Sequence, residues 1–554
     1  MDEITSSLKQ AGFKGELDAT PETLDFYSHD ASMFEMRPQL VVAPQDAEDI
    51  ERLVKLVASS KKANPKLSVT ARSAGTDMSG GAINESIIVD FCKHFTSIKA
   101  VTATTAHAQP GVLYRDFELE TLKNSAFLPT YPASRDLASI GGMVNNNSGG
   151  EKSLEYGKTE DFVTELKFVF ADGVERTVRP LNKTELDQKM KQNDFEGKVY
   201  RDIYELVDKH YDQIKQAKPK VSKNSTGYNL WDVWDRQTGI FDLTKLIIGA
   251  QGTLGFVTDI HFRLVPHPEH SGLLILFMRD TKALGEVVNK VLEYKPASFE
   301  CFDDNTLFFI IKFMPYFSKT LGYWGLIKLA LSLIPEGLQL LRGVPKMILM
   351  IEFNGQTEDE VRAKIRVLHK ELSHHKARYE INGMEETPTE GKSEKFWIMR
   401  RQAFNLLRQK VKDKHTAPFI DDLVVNPPHL PAFLPQLRKI IKKYKLLATV
   451  QGHVGDGNFH VIPLMKLEDP KERAKLLPAM KAVNKLVLKY GGSLSGEHND
   501  GLVRGPWLEQ MYGKDVLKLF KQAKHIMDPQ NIFNPHKKSD AEWDYSFSRI
   551  RDHF

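Results

Sequence analysis

Two histidines flank a short glycine-rich run in the last quarter of the chain. The segment GHVGDGNFH holds His453 and His460 with six residues between them, and its central Gly455-Asp-Gly-Asn458 favours a tight reversal. The flanking stretches LLATVQ and FHVIPLM are apolar and rich in β-branched residues, which predicts two strands of a hairpin. Such a hairpin would bring the two imidazoles together. The pattern is therefore either half of a metal site or a turn that carries incidental histidines.

The composition limits the classes of protein to consider. The chain has 554 residues, enough for two to four domains, and its net charge of +4 gives no reason to expect nucleic acid as a partner. Its two cysteines, Cys92 and Cys301, are too few to ligate an iron–sulfur cluster and fit a reducing compartment. The polar N-terminus MDEITSSLKQ lacks the basic and apolar regions of a signal peptide, which predicts a cytoplasmic protein.

One apolar stretch, LGYWGLIKLALSLIPEGLQLLRG at residues 321–343, raises the question of a membrane. Lys328 and Pro335 interrupt it before it reaches the roughly 18 apolar residues of a transmembrane helix. The favoured interpretation is a helical excursion packed on the second domain. The alternative is an amphipathic helix on the inner face of a membrane, where a quinone would be met.

Alternating strand and helix patterns divide the rest of the chain. Asp172-Gly173 predicts a hairpin between two strands, and Pro266 and Pro268 mark a boundary. The predicted segments are residues 1–37, an α/β region at 38–268, a second region at 269–500 with the apolar insertion 306–345, and a C-terminal segment at 501–554.

Three glycine-rich turns carry much of the information in the first region. They are TARSAGTDMSGG at 70–81, PASRDLASIGGMVNNNSGG at 132–150 and GAQGTLGFVTD at 249–259. Backbone N–H groups beside small side chains can hold a diphosphate without a lysine. Neither a GxGxxG fingerprint after a first strand nor a P-loop is present, which disfavours the common nucleotide-binding folds.

The order and spacing of these turns resemble the FAD-binding domain of the vanillyl-alcohol-oxidase flavoprotein superfamily. GHVGDGNFH and SGEHNDG (495–501) resemble the FAD-linked oxidase C-terminal domain of D-lactate, glycolate and D-2-hydroxyglutarate dehydrogenases, and HIMDPQNIFNPHK (525–537) resembles the closing segment that returns to the flavin domain. The resemblance covers residues 38–537. It implies an α+β fold: a two-subdomain FAD-binding domain of this type, followed by an α+β substrate (cap) domain with an antiparallel sheet.

The resemblance also implies that the three turns hold FAD, the first at its diphosphate, the second along the flavin and the third near the adenine. Some superfamily members attach the flavin covalently to a histidine in the first turn. Gly75 or Thr76 occupies that position here, so non-covalent binding is expected. The residues expected to hold the cofactor are Ser73, Ala74, Gly75, Thr76, Asp77, Ser79, Gly80, Pro132, Ser134, Gly141, Gly142, Asn145, Asn146, Ser148, Gly149, Tyr156, Gly157, Gly252, Thr253, Gly255 and Val257.

Two catalytic residues follow from the resemblance. FWIMRRQAF matches the family's substrate-arginine motif at Arg400, whose guanidinium can grip a carboxylate bidentately, while Arg401 is expected to point elsewhere. His498 matches the family's Gly-Glu-His-Gly signature and suits a general base, because imidazole titrates near neutrality. Asn499 replaces the last glycine of that signature, and asparagine tolerates the left-handed conformation better than most residues.

Glu497 would complete the metal site. Two imidazoles, from His453 and His460, and one carboxylate leave coordination positions open, as expected for a catalytic divalent ion such as zinc or manganese. Asp456 and Asn458 are expected to support the imidazoles.

Together these features predict an FAD-dependent dehydrogenase that oxidises a D-2-hydroxy acid and passes electrons to an external acceptor, such as a quinone, a cytochrome or an electron-transfer flavoprotein. Some relatives carry a lysine that contacts a distal carboxylate, where this chain has Ile420 and Asp421, which favours a lactate-like acid. The alternatives are a D-2-hydroxyglutarate dehydrogenase, a non-redox flavoenzyme of the alkylglycerone-phosphate synthase type, and a non-catalytic binding module.

Overall fold

The computed structural model describes residues 1–313, 343–410 and 414–552. Apart from Gly343, the apolar stretch 321–343 lies outside these ranges, so its membrane role stays a prediction. None of the helices within the described ranges combines the length and the apolar character needed to span a bilayer.

A four-stranded sheet is built from the N-terminal part of the chain. Its order is Glu16–Asp18, Leu40–Ala43, Ile87–Asp90 and Val69–Arg72, with the last three strands parallel. The helix Ala47–Ser60 covers it and begins at Asp46, whose side chain accepts a hydrogen bond from the Asp49 amide. Its apolar stripe is buried at the positions that the 3.6-residue period predicts, namely Ile50, Leu53, Val54 and Val57.

The second sheet has five strands and is antiparallel. Its order is Ile98–Val101, Thr105–Ala108, Phe256–Arg263, Val163–Val169 and Glu175–Val178. The hairpin predicted at Asp172-Gly173 is confirmed, and Gly173 takes a φ of +67° in its turn. The helix Leu508–Met527 packs against the helix Phe195–Lys209 over this sheet's core. The C-terminal segment therefore lies on the N-terminal half of the molecule.

The third sheet is antiparallel and belongs to the second half of the chain. Its described strands run in the order Ile381–Thr387, His270–Met278, Met347–Gly355, Ser298–Asp303, Leu447–His453, Asn458–Met465 and His415–Thr416, with Leu423–Val424 also paired to Asn458–Met465. Apolar residues fill both faces, because helices cover each of them. The helices Leu284–Leu292, Glu358–His374, Leu430–Lys443 and Leu476–Lys489 contribute to one core, and Glu390–Lys410 and Asp304–Phe313 to the other.

These three sheets confirm the predicted fold, with two sheets in the first part and an antiparallel sheet in the second. Shorter helices connect them. They span Asp2–Gln10, Pro21–Phe26, Tyr114–Leu122, Ile140–Asn146, Ser153–Tyr156, Lys183–Met190, Tyr211–Ala217, Thr244–Ile247, Pro470–Arg473, Gly501–Arg504 and Trp543–Phe547.

Candidate active site

A cavity of about 420 Å³ lies where the first half of the chain meets the third sheet. The three glycine-rich turns form part of its wall, and the predicted catalytic cluster forms another part. The predicted site residues that line it are Ser73, Ala74, Gly75, Thr76, Asp77, Pro132, Ser134, Gly141, Gly142, Asn145, Asn146, Ser148, Gly149, Gly252, Arg400, His453, His460, Glu497 and His498.

The turns bring bare backbone to the cavity surface. Gly75 and Gly252 take φ values of +69° and +64°, in the left-handed region that favours glycine. The Asp77 carboxylate accepts hydrogen bonds from the amides of Ser79 (3.0 Å) and Gly81 (2.6 Å), so it shapes the first turn from within. Small side chains and exposed backbone along one wall fit a large nucleotide cofactor, whose phosphates are held by amides.

Seven of the residues predicted to hold FAD do not line this cavity: Ser79, Gly80, Tyr156, Gly157, Thr253, Gly255 and Val257. Their part in holding FAD stays a prediction, and two of them have evident packing or hydrogen-bonding roles. The Thr253 hydroxyl lies 2.7 Å from that of Tyr228 and donates to the carbonyl of Ala250. A Cβ on Gly255 would lie 2.4 Å from the Phe168 ring, so close packing excludes a side chain there.

The GHVGDGNFH segment forms the predicted hairpin between the strands Leu447–His453 and Asn458–Met465. Gln451 lies opposite His460, which places His453 on the same face and diagonal to His460. The two imidazole rings lie 5.3 Å apart. Their Nε2 atoms both face Glu497 Oε1, at 2.8 Å for His453 and 3.2 Å for His460. The structure thus brings the three predicted metal ligands together.

The environment of Glu497 tests whether these residues suit a cation. Its second oxygen, Oε2, is buried and has no hydrogen-bond partner among the described residues. Burial disfavours its charge, yet His453 and Lys223 hold the pKa of Glu497 well below its usual value, so the carboxylate is ionised. An ionised carboxylate with an orphan oxygen, facing two imidazole nitrogens, fits a divalent metal ion.

The far nitrogens of both imidazoles are held by carboxylates that the sequence did not single out for this role. His453 Nδ1 lies 2.6 Å from Glu300 Oε1, and His460 Nδ1 lies 3.2 Å from Asp421 Oδ1. Carboxylates behind ligating imidazoles fix the ring orientation and leave Nε2 for the metal.

Asp456 and Asn458 do not support the imidazoles as predicted. Asp456 pairs with Lys223 Nζ at 3.0 Å, and Asn458 donates to Asp422 Oδ1 at 2.9 Å. The prediction was wrong because Lys223 engages the Asp456 side chain and Asp422 engages that of Asn458, so neither forms a hydrogen bond to an imidazole among the described residues.

His498 lies beside the imidazole pair. Its Nδ1 is 2.7 Å from Asp421 Oδ2, and its ring stacks on that of His460 at 4.8 Å. Asp421 therefore holds both rings, one through each carboxylate oxygen. Burial lowers the pKa of His498, but Asp421 and Asp422 raise it overall. The side chain is 22 % exposed and lines the cavity, so its Nε2 is the nitrogen left for a ligand.

Asp422 holds the loop that carries Glu497 and His498. It has a φ of +68° and accepts hydrogen bonds from the backbone amides of Glu497 (2.9 Å) and His498 (2.7 Å). Atoms of Asp422, His460, Glu497 and His498 also lie within 4.8 Å of one another and form an alternative ligand group. We favour His453 over Asp422 as a ligand, because loop groups already occupy the Asp422 oxygens.

Asn499 stands where the family signature has its last glycine. It takes a φ of +67°, the left-handed conformation that glycine would also adopt. Its Nδ2 donates to the carbonyl of Gly249 at 2.8 Å, and its Oδ1 accepts from Lys538 Nζ at 2.6 Å. The asparagine therefore adds contacts to the third turn and to the C-terminal segment.

Both arginines of the Arg-Arg pair line the cavity. Arg400 is buried, with Nη2 3.1 Å from Glu300 Oε2 and Nη1 3.3 Å from Gln451 Oε1, and its Nε has no partner among the described residues. The expectation that Arg401 points elsewhere is wrong. Glu151, which follows the second turn, pairs with its guanidinium and holds it at the cavity.

Sequence reasoning did not assign roles to Glu300, Asp422 and Glu151, and it noted Asp421 only as a substitution. Glu300 and Asp421 lie in the apolar stretches SFECF and PFIDDLVV. A carboxylate inside a buried apolar stretch is rarely unpaired, and that signal could have marked both as site residues.

Comparison with known families decides the classification. Residues 38–179 match the model of the FAD binding domain, and residues 267–538 match that of the FAD linked oxidases, C-terminal domain. The chain belongs to the FAD-linked oxidases. This confirms the family resemblance, while the residue boundaries of the predicted domains stay a prediction.

Individual relatives agree with this classification. The oxidase is 28% identical over 541 residues to a D-2-hydroxyglutarate dehydrogenase of Pseudomonas putida, covering 97% of this chain and 51% of the relative. It is 26% identical to glycolate oxidase subunit GlcD of Bacillus subtilis, covering 92% of this chain and 91% of that protein. The chain thus spans about half the length of the first of these relatives.

Solved structures share the fold. A 4-ethylphenol oxidase from Gulosibacter chungangensis superposes with a TM-score of 0.67 at 14% identity, covering 98% of this chain and 97% of that one. An alkyldihydroxyacetonephosphate synthase superposes with a TM-score of 0.63 at 15% identity, covering 97% and 86%. At such identities the likeness concerns the fold alone.

Proposed function

We propose that this FAD-linked oxidase converts a D-2-hydroxy acid to the 2-oxo acid. One observation carries the proposal: a single cavity is lined by the three turns, by a guanidinium with an unpartnered donor, and by the imidazole–carboxylate cluster. Oxidation of a hydroxy acid needs a cofactor, an anchor for the carboxylate and a base for the hydroxyl proton. The names of the relatives, D-2-hydroxyglutarate dehydrogenase and glycolate oxidase subunit, support the same reaction class.

Two groups held by these residues would supply the remaining chemistry. When bound along the three turns, FAD supplies the two-electron acceptor for the hydrogen at C2. A divalent ion held by His453, His460 and Glu497 would lower the pKa of a hydroxyl group. Zinc and manganese both suit two imidazoles and a carboxylate.

Side chains of the cavity perform the two remaining tasks, which are to bind the substrate carboxylate and to accept the hydroxyl proton. Arg400, which lines the cavity, binds the substrate carboxylate through its guanidinium, and Glu300 offsets part of the guanidinium's buried charge. His498 accepts the hydroxyl proton at Nε2, because its Nδ1 is held by Asp421. The product then carries a ketone in place of the alcohol, with one proton on His498.

The cavity favours a small monocarboxylic acid such as D-lactate. A second carboxylate would need a second free cation. Arg401 is the candidate among the described residues that line the cavity, and Glu151 already pairs with it. Burial raises the pKa of Glu151, but Arg401 lowers it to about 2, so this partner stays ionised. D-2-hydroxyglutarate is the second candidate, because several relatives carry its name.

Anaerobic titration of the flavin-loaded protein tests the proposal. We expect D-lactate to bleach the flavin absorbance, L-lactate to leave it unchanged, and D-2-hydroxyglutarate to act more slowly than D-lactate. His498→Ala should keep FAD and bleach about 10²- to 10⁴-fold more slowly, the range for loss of a general base. If no 2-hydroxy acid bleaches the bound flavin, the proposal fails and a non-redox reaction of the synthase type is favoured.

We further propose that an acceptor outside this chain reoxidises the flavin, since the two cysteines of this chain cannot ligate an iron–sulfur cluster. A quinone, a cytochrome and an electron-transfer flavoprotein are the candidates.

A further inference from the structure

Glu300 lies between the two parts of the cavity that the proposed reaction uses. It belongs to the strand Ser298–Asp303, and its side chain is 1 % exposed. Oε1 lies 2.6 Å from His453 Nδ1, and Oε2 lies 3.1 Å from Arg400 Nη2. The second contact is an ion pair without the alignment of a hydrogen bond, because Oε2 has no hydrogen-bond partner among the described residues.

We propose that Glu300 is a positioning residue that joins the metal ligand His453 to the acid anchor Arg400. This inference rests on the proposed function, since it assigns those roles to His453 and Arg400. Glu300 itself is not one of the residues that line the cavity, whereas His453 and Arg400 are. It acts through those two side chains.

The contact with His453 sets how that imidazole binds a metal. An Nδ1–H group that donates to a carboxylate fixes the tautomer in which Nε2 carries the free lone pair, and it makes Nε2 a stronger ligand. The strand position explains the fit, because Cys301 pairs with Gly452 and places Glu300 beside His453 on adjacent strands. A neutral amide at position 300 could keep the hydrogen bond but not the charge.

The contact with Arg400 provides a counter-charge for the guanidinium before an acid binds. A buried cation without a counter-charge is costly, and Glu300 is the carboxylate within 4 Å of this guanidinium among the described residues. The contact uses Nη2, and Nε has no hydrogen-bond partner among the described residues. Glu300 thus stabilises Arg400 without occupying all of its donors.

A neighbouring buried glutamate provides a matched control. Glu352 lies on the adjacent strand Met347–Gly355 of the same sheet and is also buried. It pairs with Lys152 Nζ at 2.6 Å and accepts from Ser298 Oγ at 2.9 Å, and it contacts neither His453 nor Arg400. Glu352→Gln therefore removes a buried charge of this sheet without removing a contact of His453 or Arg400.

The experiment compares Glu300→Gln, Glu300→Asp and Glu352→Gln in the FAD-loaded protein. Zinc affinity is measured by competition with a chelator, and the visible spectrum of the cobalt-substituted protein reports the ligand field. We expect Glu300→Gln to bind zinc about 10- to 100-fold more weakly, with a shifted cobalt spectrum and a higher KM for the acid. Glu300→Asp should lie between it and the parent protein, and Glu352→Gln should match the parent in zinc affinity and spectrum.

Three different results would overturn the inference. If the parent protein takes up zinc and Glu300→Gln binds it equally well with the same cobalt spectrum, Glu300 has no positioning role. If the parent protein takes up neither zinc nor cobalt, both the proposed metal site and the inference about Glu300 are wrong. Should Glu300→Gln not fold, an unchanged zinc affinity in Glu300→Asp and an unshifted spectrum would likewise contradict the proposal.

Discussion

At the scale of single residues, buried carboxylates decide what the imidazoles and guanidinia of this cavity can do. Each of the two imidazole rings proposed to bind a metal has its own carboxylate partner, and Asp421 also contacts His498. Each arginine is likewise paired, Arg400 with Glu300 and Arg401 with Glu151. The charge available to an incoming acid is therefore set by these partners as much as by the arginines.

Replacing Glu151 should change which acid the oxidase prefers. Glu151→Gln removes the anion that neutralises Arg401, leaving a cavity-lining guanidinium for a second carboxylate. We expect kcat/KM for D-2-hydroxyglutarate, relative to D-lactate, to rise about tenfold, the effect of roughly one charge-assisted hydrogen bond. Steady-state kinetics with both acids measure this ratio.

The double variant Glu151→Gln with Arg401→Gln serves as the control, because it removes the freed cation. The gain should then disappear. An unchanged ratio in Glu151→Gln would mean that Arg401 does not meet the distal end of the substrate.

At the scale of elements, the hairpin is the part of the site that the sequence predicts best. Its signals are local: a glycine-rich turn between two apolar stretches places His453 and His460 without knowledge of the rest of the fold. The carboxylates behind them could not be assigned in the same way. Glu300 is separated from His453 by 153 positions and Asp421 from His460 by 39, so only the assembled sheet brings them together. The three turns were identifiable as a set, but which residues face the cavity depended on packing, as Thr253 and Gly255 show.

Gly457 lies in the tight turn of this hairpin, where a side chain would clash with the neighbouring backbone. Its φ is +66°, and a Cβ there would lie 1.9 Å from the Val425 carbonyl oxygen. We expect Gly457→Ala to lower the free energy of unfolding by about 1–3 kcal/mol through strain and to weaken zinc binding, because the turn sets the two imidazoles. FAD content should stay near that of the parent protein. Urea unfolding and zinc competition measure the two effects.

Gly491→Ala is the control that separates the effect of the steric clash from the effect of the left-handed backbone conformation. Gly491 has a nearly equal φ of +64°, with no atom within 4 Å of the position a Cβ would take. We expect it to cost only about 1 kcal/mol and to leave zinc affinity unchanged. Equal losses in both variants would show that the Val425 contact and the turn geometry have no particular effect.

At the scale of the whole molecule, the N-terminal half of the chain holds the site loops of the second half. Lys158 Nζ donates to the Gly496 carbonyl at 2.7 Å, next to Glu497. Lys223 Nζ pairs with Asp456 in the hairpin turn at 3.0 Å and donates to the Gly150 carbonyl at 3.2 Å. Buried ammonium groups thus link the second glycine-rich turn to the loops around the imidazole cluster, so contacts join the wall proposed to hold the cofactor to the wall proposed to carry the catalytic residues.

Lys223 tests this coupling. Its side chain is 1 % exposed, and Lys223→Met would leave the buried Asp456 carboxylate without its partner, at a cost of about 3–5 kcal/mol in unfolding free energy. The double variant Lys223→Met with Asp456→Asn removes the uncompensated charge and should recover most of that loss. Because Lys223 bonds both the hairpin turn and the second glycine-rich turn, the parent protein should lose FAD and zinc at the same urea concentration, and Lys223→Met should separate the two losses. Release of zinc before FAD from the parent protein would show that the two walls unfold separately and are not coupled through these contacts.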